Sequence, residues 1–452
     1  MKILIAGSGK VGQTLVKELA DDGYDLTVID SNPKVLERMV EQYDVMALHG
    51  NCASMETLKQ AGAMHADLVI AATGSDEVNL LCSMTAHGLN PKIHTIARIR
   101  NPEYTDQAYS MSDIFGLSLA FNPERHAATA IERLLKLPGF FNRESFAKGR
   151  VEIAELRVDA TSKLCDVPLS ILYSIVKCRV LVCAVLRDGQ AITPDGNFVL
   201  REGDRLFVTA PTANLAMLLK NLGVVTHKVR RVMIVGGGTI SYYLAESLLD
   251  DRVQVTIIEK NKDRCTKLAE LLPEANVING DAVDRELLES EGLSDCDALV
   301  TLTGMDELNA IVSMYGNSCG VPHIVTKLDL IDDSKIIDRL SVGSVICPKK
   351  LCCSTVVRYV RAIQNQAGAA LAIHSIAGGN VEALEFAVDE NTLNCGEPLK
   401  KLKLKKNILI VSITRGTRTV IPGGDSCFNV GDTVVVVSNG DQVILGLNDI
   451  FA

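Results

Sequence analysis

Apolar residues come in short blocks along the first hundred positions, and the blocks alternate between two periods. Lys2–Ala6, with Ile3, Leu4 and Ile5 at its centre, is an unbroken apolar run, the pattern of a strand buried on both faces. Val11 to Ala20 then repeats at helical spacing. Leu26–Ile29 is a second strand, and Pro33 to Tyr43 is a helix with Leu36, Met39 and Val40 on one face. A third strand over Val45–Leu48, a helix over Ser54–Ala61 and a fourth strand over Leu68–Ala72 follow. A helix begins after Thr73–Asn79, and His94–Ala97 is a fifth strand. Strands that alternate with helices at this spacing predict a parallel, doubly wound sheet. Ile114 to Leu119 is the candidate sixth strand. Asn122-Pro123-Glu124 opens a further helix, whose stripe of Ala127, Ala128, Ile131, Leu134 and Leu135 must be covered by an adjacent domain or a partner subunit.

From Gly149 the period changes. Val151–Val158 alternates as a strand, Pro168–Val176 reads as a short helix, and Val180–Leu186 and Arg205–Ala210 are strands around a turn at Asp188-Gly189 and a segment Asn197–Val199. This predicts a small, largely antiparallel module ending near Gly223. The chain then repeats itself. Gly7 and Gly236 lie 229 positions apart, as do Asp30 and Glu259; Thr73–Asn79 returns as Thr303–Asn309, offset by 230. Cys347-Pro348 opens a helix as Asn122-Pro123 does, and Cys165-x-x-Pro168-Leu169 returns as Cys395-x-x-Pro398-Leu399. A tandem duplication of a two-domain unit follows. The fold class is α/β, with two Rossmann-like doubly wound sheets at 1–138 and 229–364. Each is followed by a small α+β module, at 149–223 and 369–452.

The chemistry sits where the first strand meets the first helix. Gly7-Ser8-Gly9-Lys10-Val11-Gly12 is a GxGxxG loop between strand and helix, and Asp30 ends the next strand 21 residues after Gly9. Such a loop turns tightly at its first glycine, lets a pyrophosphate approach at the second and packs helix on strand at the third. The phosphates rest on helix amides, and the acid binds the ribose hydroxyls. Asp30 repels a 2′-phosphate and Ser31-Asn32-Pro33 offers no arginine, which favours NAD(H), or ATP and ADP, over NADP(H). Asn51, Thr73 and Arg98 also end strands and complete the first crevice. The second crevice has Gly236, Gly237, Gly238, Thr239, Ile240, Glu259, Asp281, Thr303 and Lys327 at the matching places. Ser241 stands for Gly12 and is expected to push helix and strand apart; Lys327 stands for Arg98 and replaces a fork of donors by one ammonium. The first crevice is therefore expected to be the tighter NAD(H) site.

Composition narrows the function classes. The 452 residues are 47% hydrophobic and 22% charged, ordinary for cored domains. A net charge of −9, no tryptophan and 4% aromatics argue against nucleic-acid partners. No apolar run approaches the length of about 18 residues that spans a bilayer, and the first residues lack a signal-peptide layout. The 13 cysteines are scattered and odd in number, which reads as reduced, mostly buried thiols. Cys347, Cys352 and Cys353 cluster without metal-ligand spacing, so no metal site is assigned. No catalytic site is assigned either: Asp76, Glu77, Asp306 and Glu307 open helices and are expected to cap them, and His49, His94 and His323 join no nucleophile. Lys400, Lys401, Lys403, Lys405 and Lys406 form a basic run, either a solvated strand edge or a site for an anionic ligand or an acidic partner patch.

The motifs GSGKVG, VIDSNP, ATGSDEVNL and IARIRNPEY, in this order and spacing, resemble the tandem regulator-of-potassium-conductance (RCK) units of the TrkA family, the peripheral subunits of bacterial Trk potassium-uptake systems. The resemblance spans the whole chain. It implies a cytosolic, non-catalytic regulator that binds NAD(H) and adenine nucleotides. It also implies assembly as a homo-oligomeric ring under a membrane potassium-translocating subunit, so that the protein is peripheral to the membrane and not inserted in it. The family's nucleotide contacts would fall on Gly7, Ser8, Gly9, Lys10, Val11, Asp30, Thr73, Gly74 and Arg98. The family often has Asp at the position of Asn51. The competing class is an NAD-dependent oxidoreductase, which needs a domain that places a substrate and an acid or base beside the nicotinamide. Here only about 70 residues follow each sheet, a small module by domain standards.

Overall fold

The computed structural model describes residues 1–146, 150–224, 228–329, 340–364, 370–376, 381–439, 444 and 446–452. The expected module starts at Gly149 and Ala369 lie outside the described residues. Contacts divide the chain into two compact units, Met1–Thr129 with Cys347–Val360, and Ala130–Ile346 with Arg361–Ala452.

In the first unit six parallel strands form a sheet in the order β3-β2-β1-β4-β5-β6. They are β1 (Lys2–Ala6), β2 (Asp25–Asp30), β3 (Met46–His49), β4 (Leu68–Ala71), β5 (His94–Arg98) and β6 (Leu119–Phe121). The strand order reverses between β1 and β4, and helices α1 (Lys10–Asp21), α2 (Pro33–Gln42), α3 (Met55–Gln60) and α4 (Asp76–Leu89) connect the strands. Both faces of β1 are buried because alternate residues serve opposite cores. Ile3 and Ile5 face Val11, Leu15 and Leu19, while Leu4 and Ala6 face Leu58, Cys82 and Ala86. The sixth strand is shorter and later than expected. Ile114 lies in a one-turn helix, Ser112–Phe115, that ends at Gly116 with φ 61°, and its side chain is exposed.

The helix Pro348–Gln364, expected as the tail of the second sheet domain, contributes Cys352, Cys353, Val356, Val357 and Val360 to the core beneath β1 and α1. Its Tyr359 ring meets the His94 ring edge-on, centroids 6.4 Å apart, and the Cys353 thiol donates to the Val11 carbonyl at 3.7 Å. The cysteine cluster is thus core packing for two of its three members.

In the second unit the repeat builds the same sheet, β14-β13-β12-β15-β16-β17, from β12 (Arg231–Val235), β13 (Gln254–Glu259), β14 (Asn276–Asn279), β15 (Ala298–Thr301), β16 (His323–Lys327) and β17 (Ser344–Ile346). Helices α10 (Thr239–Asp250), α11 (Lys262–Leu271), α12 (Arg285–Ser290) and α13 (Asp306–Ser318) flank it. The helix α7 (Pro123–Lys136) buries its whole apolar stripe, and its last residue, Lys136, pairs with Asp251 beside α10 at 2.9 Å.

The small modules are antiparallel sheets. The first is built from β7 (Asn142–Phe146), β8 (Val151–Arg157), β9 (Leu181–Arg187), β10 (Gln190–Ile192) and β11 (Arg205–Ala210) in the order β10-β9-β11-β8-β7, and the second from β18 (Ala370–Ile376), β19 (Val381–Ala387), β20 (Ile408–Arg415), β21 (Arg418–Val420) and β22 (Thr433–Asn439) in the order β18-β19-β22-β20-β21. The strands Asn142–Phe146 (β7) and Ala370–Ile376 (β18) extend each sheet beyond the strands legible in sequence, and a helix, Thr212–Leu222, follows β11. Asn197–Val199 makes only an isolated bridge, Val199 to Pro168. One continuous core joins the two modules: Phe146, Ile153 and Phe207 of the first pack with Ile376, Val435 and Val437 of the second. The lysine run belongs to none of the sheet strands, and its Lys403 and Lys405 flank an isolated antiparallel bridge, Leu404 to Phe451. Leu399–Lys401 is a single 3-10 turn, with Lys400 paired to Asp425 at 2.5 Å.

Candidate nucleotide-binding crevices

Parallel strands deliver their carboxyl ends to one edge of the sheet, and the reversal between β1 and β4 opens a crevice there. In the first unit the loop after β1 crosses it. Gly7 has φ 97°, and a methyl group on it would meet the Ala72 carbonyl and the Thr73 Cα at 2.9 Å. A methyl group on Gly12 would stand 1.9 Å from the Gly7 carbonyl oxygen. Both glycines are therefore demanded by close backbone approach. Around Gly9, by contrast, the space is open. Gly9 is also the N-cap of α1, a residue with no side chain to cap the helix, and no acid stands in the first turn, so the positive end of the helix faces the crevice.

Asp30 closes the rim. Its carboxylate accepts from the Ser8 amide at 2.6 Å and from the Asn32 amide at 2.8 Å. Each oxygen keeps lone pairs that suit two ribose hydroxyls. Across the crevice, Thr73 is held by Asn79, a fully buried residue whose side-chain oxygen accepts from the Thr73 amide at 2.9 Å and hydroxyl at 2.7 Å. The Asn79 amide donates to the Arg98 carbonyl at 2.9 Å, so one side chain ties the ends of β4 and β5. Arg98 pairs with Glu124 in the first turn of α7 at 2.8 Å. Asn51 turns into its own loop, accepting from the Ala53 amide at 3.0 Å. Gly7, Ser8, Gly9, Asp30, Asn51, Thr73, Gly74 and Arg98 thus lie at strand ends or in the loops that follow them, and Lys10 and Val11 open α1 beside them.

These residues fit a nucleotide diphosphate. The Ser8 hydroxyl, the Arg98 Nε and one Glu124 oxygen are buried without a hydrogen-bond partner among the described residues. Buried polar groups are rarely left so, and the Ser8 hydroxyl and Arg98 Nε are donors of the kind a phosphate oxygen accepts from.

The second crevice repeats the plan with its polar groups more fully engaged. Glu259 accepts from the Gly237 amide at 2.6 Å and the Asn261 amide at 2.7 Å. Gly238 is the N-cap of α10, followed by Thr239 and Ile240 in the first turn, and the space beside it is open. Asn309 braces Thr303 and the Lys327 carbonyl as Asn79 does in the first unit. Lys327 turns inward, donating to the Thr303 carbonyl at 2.9 Å and pairing with Asp329 at 3.3 Å. The Lys260 ammonium at 2.7 Å from Asp281 holds that carboxyl below the usual aspartate range. Ser241 is fully buried, and its hydroxyl donates to the Gly236 carbonyl, so the helix start is tied by a bond where the first unit has a glycine contact. Arg264, with Val35 at the corresponding place in the first unit, donates to the Gly237 carbonyl.

The capping expected of the paired acids is corrected for Asp76 and Asp306. Ser75 caps α4, its hydroxyl accepting from the Val78 amide at 3.3 Å. Asp76 is buried and accepts from the Arg100 and Asn101 amides at 2.8 and 2.7 Å, fixing the chain after β5; Asp306 accepts from the Asp329 amide at 2.7 Å. Asn79, Asn309, Glu124 and Arg264 were not singled out by sequence. The recurrence of Asp-Glu-x-Asn in both halves was the available signal for the two asparagines.

The TrkA-N domain family matches residues 3–117 and 232–348, and the TrkA-C domain family matches 153–223 and 383–445. A Trk system potassium uptake protein TrkA homolog from Archaeoglobus fulgidus is 32% identical over 98% of each chain. TrkA homolog 1 from Methanosarcina mazei is 31% identical over 97% of each, and TrkA from Haemophilus influenzae is 29% identical over 99% of this chain and 96% of its own. Among solved structures, the GsuK RCK domain superposes with a TM-score of 0.62 at 17% identity, covering 98% of this chain and 93% of its own. The GsuK channel bound to NAD gives 0.61 at 17% identity, covering 98% and 77%. At that identity the likeness establishes the fold.

Proposed function

Because the chain belongs to the TrkA family, we propose that it is the regulatory subunit of a potassium-uptake system, reading NAD(H) and adenine nucleotides in its crevices and acting on a membrane potassium-translocating partner. The observation that carries the nucleotide part is the first crevice: open space at Gly9 over an uncapped helix start, with Asp30 at the ribose position. The relatives' names carry the transport part. A regulatory rather than catalytic role is supported by how the acid and base candidates are used. Asp76 and Asp306 bind backbone amides, and the His49 ring nitrogen bonds the Ser31 carbonyl at 3.1 Å. No described helix is long and apolar enough to cross a membrane.

The coupling route runs through Arg98. Without ligand its guanidinium is committed to Glu124 on α7. A phosphate entering the crevice competes for the same fork of donors, because arginine pairs bidentately with phosphate as it does with carboxylate. Ligand binding then exchanges an anchor of α7 for a ligand contact, and a ligand shifts the protein between states by just such a difference in contacts.

The test is fractionation of cells that make this protein with and without the membrane potassium-translocating subunit. Recovery with membranes only in the presence of that subunit is expected. Equal recovery in its absence would contradict the partnership.

A further inference from the structure

A cavity of about 770 Å³ opens at the amino-terminal ends of β12 and β13, at the opposite end of the strands from the glycine loop. Lys228, Arg230, Arg231 and Arg252 line it, with Asp251 and Asp297. The two carboxylates are already engaged. Asp251 pairs with Lys136, and Asp297 accepts from the Arg230 and Arg231 amides at 2.8 and 2.9 Å. Among the described residues, none of the four cationic heads forms an ion pair or a side-chain hydrogen bond. Four cations therefore converge on one concavity of a chain whose net charge is −9.

The duplication supplies the control. The first unit has Lys2, Asp22, Gly23, Asp25 and Asp67 where the second has Arg231, Asp251, Arg252, Gln254 and Asp297. The structural acid is kept: Asp67 accepts from the Lys2 amide at 2.7 Å as Asp297 does from Arg231. What changes is charge. Asp25 becomes neutral Gln254, and Arg252 is added with Arg230 and Lys228. Gly23 has φ 78°, which glycine adopts freely; Arg252 holds φ 62°, which costs any side chain free energy. Strain kept at one residue points to use of its side chain. Cations at the end of α10 also suit its dipole, but that explains one charge and not four.

We propose that this cavity binds a small soluble oligophosphate, with the phosphates held by Arg230, Arg231, Arg252 and Lys228. Arginine forks match phosphate oxygens, and the volume is that of a small-ligand site. The apolar lining residues, Val229 and Val253, are both buried, and among the described residues that line the cavity none offers an aromatic face on which a nucleobase would stack. Recognition by these residues is therefore of phosphate charge. A concave site without exposed apolar residues also suits a dissolved anion better than a bilayer surface.

Calorimetric titration of the full-length protein with sodium tripolyphosphate, in saturating NADH to fill any phosphate site in the crevices, tests this. Binding is expected to weaken steeply with added salt. Arg252→Gly combined with Arg230→Gln should weaken it at least tenfold, while Arg252→Gly alone leaves the melting temperature equal or higher, since it restores the glycine of the first unit. Absence of tripolyphosphate binding by the parent, or equal binding by the double variant, would overturn the proposal. So would loss by the variant of binding to vesicles rich in phosphatidylglycerol when tripolyphosphate does not bind, which would assign the surface to a membrane.

Discussion

Arg98 and Glu124 share one hydrogen bond of 2.8 Å while the Arg98 Nε and the second Glu124 oxygen find no partner among the described residues. A half-satisfied ion pair at a crevice rim is a contact that can be exchanged. Glu124→Gln removes the anion that competes with phosphate for the guanidinium. It should tighten NADH binding by about 3- to 10-fold, or about 1 kcal/mol for a partly exposed pair. Calorimetry would show this, and unchanged or weaker binding would exclude the exchange. The glycines and Asp30 were legible in the sequence because a tight turn and a ribose acid fix residue type at fixed spacing. Glu124 was not, since its partner lies 26 positions away and a helix-opening glutamate is explained equally well by the helix dipole. Asp76 was misread for the same reason: acids in a first turn look alike in sequence whether they face a helix end or, as here, the amides of Arg100 and Asn101.

At the scale of elements, the apolar runs placed most strands and helices of the sheet domains within a few residues, because a strand buried on both faces leaves little choice of residue. The periodicity also showed that the helices after each sheet carry an apolar face. It did not show what covers that face, since a stripe states a need for burial and not its partner. The partner of the helix Pro348–Gln364 is the first sheet, more than 200 residues earlier in the chain. Its five core side chains contribute on the order of 1.5 kcal/mol each to that core, an upper estimate. Val356→Asp places a charge where the residue is fully buried and should destabilise the first unit by more than about 3 kcal/mol. Hydrogen exchange separates this from general unfolding. Amides of β1, β2 and β4 should exchange faster while those of β12, β13 and β15 keep their rates, and equal acceleration in both sheets would refute the assignment. The strands β7 and β18 are both edge strands, and β7 was not legible because Asn142–Phe146, four polar residues and one phenylalanine, carries no alternation of apolar and polar positions even though Pro138-Gly139 marks the turn before it.

For the whole molecule the duplication is the main fact, and function lies in where the copies diverge. Both sheets keep the glycine loop, the strand-end acid and the asparagine brace, so both keep the plan of the proposed nucleotide crevice. The second has spent its cations internally: Lys327 on Thr303 and Asp329, Lys260 on Asp281, and Arg264 on Gly237. A phosphate entering there meets the single Lys327 ammonium in place of the Arg98 fork that can exchange Glu124 for phosphate, a loss of about 1–2 kcal/mol relative to the first crevice. The measurement that bears most directly on this is NADH titration of the parent beside Gly9→Asp and Gly238→Asp. Neither position has a neighbour within 4 Å of an added Cβ, so both variants should fold, and each sets a carboxylate where the pyrophosphate would rest. Gly9→Asp should abolish the tight NADH site and Gly238→Asp should spare it. Loss of that site in Gly238→Asp with its retention in Gly9→Asp would contradict the assignment of the first crevice as the NAD(H) sensor.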